Sequence, residues 1–129
     1  MRALLDTHSF LWWVSARGSN LSPKAADVIG DAENEILFSA ASAWEIAIKA
    51  SAGRLRLPSR PERYVPARVR RHGFRVLPVD LEHALRVARL PRIHGDPFDR
   101  LLVAQAMSEG IPLVSSDPAI GRYDVEVIW

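Results

Sequence analysis

Asp96-Pro97-Phe98-Asp99-Arg100-Leu101-Leu102-Val103-Ala104-Gln105-Ala106, continued by Met107-Ser108-Glu109-Gly110 and then by Pro112-Leu113-Val114-Ser115-Ser116-Asp117, is the stretch on which the fold turns. Phe98, Leu101, Leu102, Ala104, Gln105 and Ala106 recur with helical period and make a mostly apolar stripe over Pro97 to Glu109. Asp96 stands at the N-cap, Pro97 at the first helical position and Gly110 at the stop. Pro112 to Ser115 then reads as a short buried strand that ends in an acid, Asp117. A helix feeding a strand in this way is half of a βαβ unit.

The same grammar repeats on either side. Ala3-Leu4-Leu5 stops at Asp6, and Glu35 to Ser39 and Arg75 to Val79 are further short runs. Val125-Glu126-Val127-Ile128 alternates as an edge strand does. Helices are expected over Lys24 to Ala32 behind Ser22-Pro23, and over Ala43 to Ala52 behind Ser42 with Gly53 as its stop. Two more are expected, over Pro61 to His72 with a break near Pro66 and over Leu81 to Leu90. Alternating strands and helices predict an α/β class. The arrangement expected is a three-layer α/β/α sandwich on a mainly parallel five-stranded sheet, with residues 1–129 as one domain. Asp117 to Val125 is short for a parallel crossover, so the direction of the last strand stays open.

The chain has 129 residues, 48% of them hydrophobic, which suffices for a core without disulfides or structural zinc. It has no cysteine, which excludes thiol catalysis and iron–sulfur chemistry. No apolar run reaches the roughly 18 residues of a membrane span. No uncharged leader with a small-residue cleavage site precedes the first strand. A soluble, cytoplasmic protein without membrane association is the expectation. The glycines form no phosphate loop, no Ser–His–Asp signature occurs, and the four histidines lack the spacing of a zinc site.

Four acids stand at element ends. Asp6 closes the first strand, Asp117 follows the fourth, and Glu45 and Asp99 lie in the first turns of two helices. In a right-handed parallel fold, strand ends and crossover-helix N-termini share the carboxyl edge of the sheet. Four carboxylates gathered there repel one another and call for a cation. Oxygen ligation suits Mg²⁺ or Mn²⁺, and such an ion beside phosphate oxygens points to phosphodiester hydrolysis. Each acid also has a purely structural reading. Ser42-x-x-Glu45 fits a capping box, Glu45 can pair with Lys49, Asp96 and Asp99 suit a helix N-terminus, and Asp117-Pro118 can open a turn. Asp6 alone has no capping role that the sequence displays.

Together these motifs carry a resemblance. Leu4-Leu5-Asp6-Thr7-His8, Ser39 to Ile46 with Lys49 and Gly53-Arg54-Leu55, His94 to Ala106, and Leu113-Val114-Ser115-Ser116-Asp117 resemble the PIN-domain ribonucleases, and among them the VapC-type toxins of bacterial toxin–antitoxin pairs. The resemblance runs the length of the chain in order. It implies a Mg²⁺- or Mn²⁺-dependent endoribonuclease that leaves a 5′-phosphate and a 3′-hydroxyl, is inhibited by a cognate antitoxin, and forms a homodimer. It implies Asp6, Glu45, Asp99 and Asp117 as catalytic and metal-binding residues, with Asp117 reaching the ion through water. Thr7 and Ser116 are then hydroxyls around the metal, and Asp96 is the cap that fixes the helix of Asp99.

Other residues divide between substrate and scaffold. His8 could touch the pocket, His94 could tie down the loop before Asp96, and His72 and His83 have no visible partner. Phe10 and one of Trp12 and Trp13 read as core, with the other Trp facing a partner, and Trp44 reads as core rather than as a stacking platform. Fifteen of the 17 basic residues are Arg, and eight of them fall within residues 54–75 against Glu62 alone. A chain of net charge +2 thus hides a basic stretch and an acidic remainder. Arg54, Arg56, Arg70 and Arg71 are the candidate contacts to an RNA backbone, whose charge such a stretch suits. Competing readings are an RNA-processing PIN-like nuclease outside toxin–antitoxin systems, a non-catalytic PIN module that binds RNA or protein, and a phosphorylation-controlled receiver. The receiver lacks its paired acids and its late lysine, since Lys24 and Lys49 are the only lysines.

Overall fold

A computed structural model describes residues 1–15 and 20–129. In chain order these form β1 (Arg2–Leu5), α1 (Thr7–Val14), α2 (Pro23–Gly30), β2 (Glu35–Ser39), α3 (Ala40–Ser51), α4 (Pro61–Arg71), β3 (Arg75–Leu77), α5 (Leu81–Arg86), α6 (Pro97–Glu109), β4 (Leu113–Val114) and β5 (Val127–Ile128). Short 3₁₀ turns follow α5 at Val87–Arg89 and precede β5 at Ile120–Arg122. The sheet has the order β3-β2-β1-β4-β5, and every pairing is parallel. The last strand is therefore parallel too, its short connection being spanned by a 3₁₀ turn instead of a helix.

Strand alternation divides the core between two faces. Leu5 and Phe38 point to one side with Phe10, Ile46, Tyr64 and Val69. Leu4 and Leu37 point to the other, with Leu102, Leu113 and Ile120. This is the expected three-layer α/β/α arrangement. The chain winds from β1 through β2 to β3 in one direction and then returns across the sheet to β4 beside β1. The strand order reverses between β1 and β4, which is where an open parallel sheet forms a crevice outside its carboxyl ends.

Several local expectations change. Helix α3 starts at Ala40, with Ser39 as its N-cap accepting from Ala41 N–H at 3.0 Å. Ser42 is therefore inside the helix, and no capping box forms with Glu45. Helix α4 is continuous through Pro66. Pro66 lies in its second turn, where the missing N–H deprives only the carbonyl of exposed Glu62. His83 is buried and has partners: its Nδ1 accepts from Asp80 N–H at 3.0 Å, and its Nε2 lies 3.1 Å from Glu109 Oε2, which ties α5 to α6. Neither Trp12 nor Trp13 is free. Trp12 packs against His8 and Trp129, and Trp13 lies near the His72 ring and over Gly30, where an added Cβ would sit 3.2 Å from it. The exposed tryptophan is Trp44 instead, at 61% of its surface.

Candidate metal centre at the carboxyl edge

Asp6 is nearly fully buried and is the N-cap of α1, its Oδ1 accepting from Ser9 N–H at 2.8 Å. The sequence hides this role because Thr7 to Val14 carries no clear helical stripe. Ser9 Oγ in turn donates to Val114 O at 3.1 Å, which ties α1 to the end of β4 across the crevice.

Glu45 projects from α3 into the same region and is also buried. Thr7 Oγ1 donates to its Oε1 at 2.6 Å, and a 2.9 Å hydrogen bond joins the Thr7 and Ser42 hydroxyls. Lys49, one turn along α3, donates to Glu45 Oε2 at 2.6 Å. Both carboxylate oxygens are thus held, one by a neutral donor and one by a cation.

Asp99 stands on the first turn of α6, which Asp96 caps through Phe98 N–H at 2.8 Å and Asp99 N–H at 3.2 Å. Its Oδ2 lies 3.1 Å from His94 Nε2, and the same nitrogen lies 2.7 Å from Asp117 Oδ2. His94 Nδ1 accepts from Asp96 N–H at 3.0 Å, so the ring proton sits on Nε2, between the two carboxylates. The loop carrying His94 is further held by its own N–H donating to the Tyr123 hydroxyl at 2.8 Å. Asp117 Oδ1 accepts from Ala119 N–H at 2.9 Å. Asp117 N–H donates to the buried Ser115 hydroxyl at 3.1 Å, whereas Ser116 is exposed.

The charges leave one group uncompensated. Burial first, and then the negative charges of Asp96, Asp6 and Glu45, push the Asp99 carboxyl up to about 7, against the pull of His94. Burial also raises Asp117, but its hydrogen bonds from His94 and Ala119 and the charges of His94 and His8 outweigh that and hold it below the usual carboxylate range. His94, Asp99 and Asp117 each offer a ligand atom within 4.8 Å of the others, the one such cluster among the described residues. Asp6 and Glu45 lie outside that triple but act on Asp99 through charge. Sequence reasoning gave His94 only the tie of the loop before Asp96, which its bonds with Asp96 N–H and the Tyr123 hydroxyl bear out, and did not foresee its ring between Asp99 and Asp117. The carboxylate oxygens of Asp99 and Asp117, with the negative charges of Asp6 and Glu45 close enough to act on Asp99, make an oxygen donor set that fits a small divalent ion.

Basic residues flank this centre. A cleft of about 730 Å³ has an apolar lining that includes Leu11, Trp12, Ile46, Leu55 and Leu57, with Thr7, His8, Lys49, Arg54, Arg56 and Arg68 around it. Arg70 and Arg71 are exposed near the end of α4 and do not line it. On α3 and α6, Trp44 and Phe98 each precede an acid of the centre, and their rings meet edge to face at 5.2 Å.

Residues 3–126 match the family model described as PIN domain. Ribonuclease VapC16 of Mycobacterium tuberculosis (strain ATCC 25618 / H37Rv) is 50% identical over 56 residues, which is 43% of this chain and 40% of that protein. The match therefore spans less than half the length of that curated relative. Among solved structures, one of VapBC2 from Rickettsia felis bound to a DNA fragment from their promoter aligns with a TM-score of 0.69 at 12% identity, covering 98% of this chain and 97% of that one. FitAcB from Neisseria gonorrhoeae aligns at 0.57 and 18% identity over 97% and 95% of the two chains. A domain of a functionally unknown protein from Methanocaldococcus jannaschii DSM 2661 aligns at 0.53 and 15% identity over 98% and 88%.

Proposed function

This chain belongs to the PIN domain family, and from that premise we propose that it is a Mg²⁺- or Mn²⁺-dependent endoribonuclease, the toxin of a toxin–antitoxin pair. The observation that supports the reading is the cluster of Asp99 and Asp117 about His94 at the carboxyl edge, where burial first and then the charges of Asp96, Asp6 and Glu45 push Asp99 up to about 7. A scaffold that only bound a partner would gain nothing from that destabilising arrangement. The VapC name of a relative and the VapBC and FitAB titles of two structural neighbours support the toxin role.

In this reading Asp99 and Asp117 hold the ion, with Asp6 supplying charge and ligand oxygen beside them and His94 turning its ring between the two carboxylates. When bound, the ion lowers the pKa of a water and offsets charge on the leaving oxygen. Glu45 has both oxygens engaged by Thr7 and Lys49, so it is held in one position from which it orients the attacking water. Thr7 and Ser42 fix its rotamer, Asp96 fixes the helix that presents Asp99, and Ser115 beside Ser116 fixes the loop of Asp117. Arg54 and Arg56 hold the RNA backbone in the adjacent cleft, and Arg70 and Arg71 extend the basic surface along α4.

A cognate antitoxin and a second copy of the chain are the proposed protein partners. Leu81 and Leu85, one turn apart on α5, are exposed at 76% and 63% and support self-association at that face. Residues 1–129 are taken as one domain. Among the described residues no helix is long and apolar enough to cross a membrane, and a cytoplasmic location is proposed. The test is incubation with total cellular RNA and Mg²⁺, mapping new 5′ ends. Cuts that require Mg²⁺ and vanish in Asp99→Asn support the nuclease; no such cuts would leave a binding module in its place.

A further inference from the structure

We infer that Trp44 and Phe98 form a subsite for an unpaired nucleobase of the RNA strand whose phosphate enters the acidic centre. The inference rests on the nuclease reading and assigns that site a substrate feature, a single-stranded base beside the cleavage point. Helix α3 turns Ala41, Ser42, Glu45 and Ile46 inward and leaves Trp44, Ala47, Ile48 and Ser51 outward. A tryptophan on that outer face is 61% exposed.

One neighbour meets its ring: Phe98 lies edge to face with it at 5.2 Å and 75°, on a helix start whose backbone is held by the Phe98 N–H donating to Asp96. An exposed aromatic face is the device by which proteins stack single-stranded bases without reading their sequence. Position supplies the rest. Trp44 is one residue from Glu45 and Phe98 one residue from Asp99, with consecutive Cα atoms about 3.8 Å apart. The two helices that couple through charge at the acids therefore couple through rings at the preceding residues. On another side of the centre, the cleft with Lys49, Arg54, Arg56 and Arg68 suits the phosphates. A strand crossing the acids thus meets cations in the cleft and an aromatic wall at Trp44. Double-stranded RNA offers no free base to that wall and is excluded as the preferred substrate.

The experiment measures binding of a fluorescent single-stranded oligoribonucleotide in Mg²⁺, in an Asp99→Asn background that prevents cutting, together with sedimentation mass. Trp44→Ala is expected to weaken binding about 5- to 100-fold, the range for loss of one stacked base. Trp44→Phe should restore most of it. A scan of abasic nucleotides along the oligonucleotide should find one position at which the two proteins bind alike. Undiminished binding by Trp44→Ala, or a loss that persists with every abasic oligonucleotide, overturns the subsite while leaving the nuclease standing. A fall in sedimentation mass in Trp44→Ala also overturns it, by making Trp44 a contact with a second copy. If the Asp99→Asn protein with Trp44 intact binds no single-stranded RNA and the unsubstituted chain cuts none, the nuclease reading fails and the subsite with it.

Discussion

Asp99→Asn should stabilise the metal-free protein above about pH 4, and most at neutral and alkaline pH. The Asp99 carboxyl is raised from an ordinary value of 3.8 to about 7, by burial first and by Asp96, Asp6 and Glu45 after it. A group that binds its proton more tightly in the folded state stabilises the fold while it is protonated. That contribution is present below about 4 and is lost as pH rises through the raised value, so the metal-free protein weakens between about pH 4 and 7. Taken whole, the shift would amount to about 4 kcal/mol, and solvent at the partly open side chain reduces this to about 2 kcal/mol. An asparagine removes the charge and keeps an oxygen for the 3.1 Å contact with His94. Thermal unfolding in EDTA should therefore give Asp99→Asn a Tm higher by about 6–8 °C at pH 8 and by a smaller margin at pH 5, on about 3–4 °C per kcal/mol for a chain of this length. Adding Mg²⁺ at pH 8 should raise the Tm of the unsubstituted protein far more than that of the variant. Asp117, shifted downward, acts below pH 4 and does not disturb the comparison. A variant equally or less stable than its parent at pH 8, or a parent whose Tm does not fall from pH 5 to 8 relative to the variant, would refute the account of the charges.

Gln105→Leu removes a fully buried amide whose oxygen accepts from Ser39 Oγ and whose nitrogen donates to Pro78 O at 3.2 Å. The buried Ser39 hydroxyl loses the acceptor of its proton while the exposed Pro78 carbonyl can turn to water, and the urea midpoint should drop by the equivalent of about 1–2 kcal/mol; an unmoved midpoint would contradict the bonding described. Gly110→Ala places a Cβ at a left-handed φ of 66° and should cost about 1 kcal/mol by the same measurement. Replacing Leu81 and Leu85 together by Glu should yield a monomer in sedimentation if α5 is the self-association face, whereas an unchanged mass would move the contact elsewhere.

What could be read in the sequence divides along the range of the interactions concerned. Helix α6, with Pro97 and Gly110 at its ends, is announced by local chemistry and appears at the predicted bounds. Sheet topology follows from element order plus the right-handed crossover rule, so Asp6 and Asp117 could be assigned to one edge without coordinates. Side-chain partners were less legible. His83 meets Glu109 across 26 positions and His94 meets Asp117 across 23, and no periodicity encodes such pairs. Local sequence offers both Ser39 and Ser42 as caps for α3, and in the fold Ser39 caps while its hydroxyl also donates to Gln105 on another helix. Hydrophobicity alone places Trp44 inward, whereas on α3 it stands about 100° from Glu45, whose burial turns it out.

That misassignment has a common cause with the structural readings that each acid allows. Asp6 caps α1, Glu45 pairs with Lys49, and Asp117 accepts from the turn at Ala119, so each one does a local structural job. Their local roles do not compete with a shared one, because a carboxylate has two oxygens and a cap or turn needs only one. Asp6 uses Oδ1 and Asp117 uses Oδ1 for backbone donors, and Asp117 Oδ2 faces His94 and, through it, Asp99. The backbone donors therefore aim the carboxylates, converting flexible side chains into fixed ones before any ion arrives. The cost of that alignment falls on Asp99, the acid with no donor of its own beyond His94 and with three negative neighbours. If fixed aim is what the capping bonds supply, loosening the Asp6 cap through Ser9→Pro, which deletes the 2.8 Å donor, should weaken Mg²⁺ binding while leaving Asp99 raised. Calorimetric titration with Mg²⁺ reads the first, and the pH dependence of metal-free stability reads the second. Unaltered Mg²⁺ affinity in a folded Ser9→Pro protein would mean that the caps are structural and nothing more.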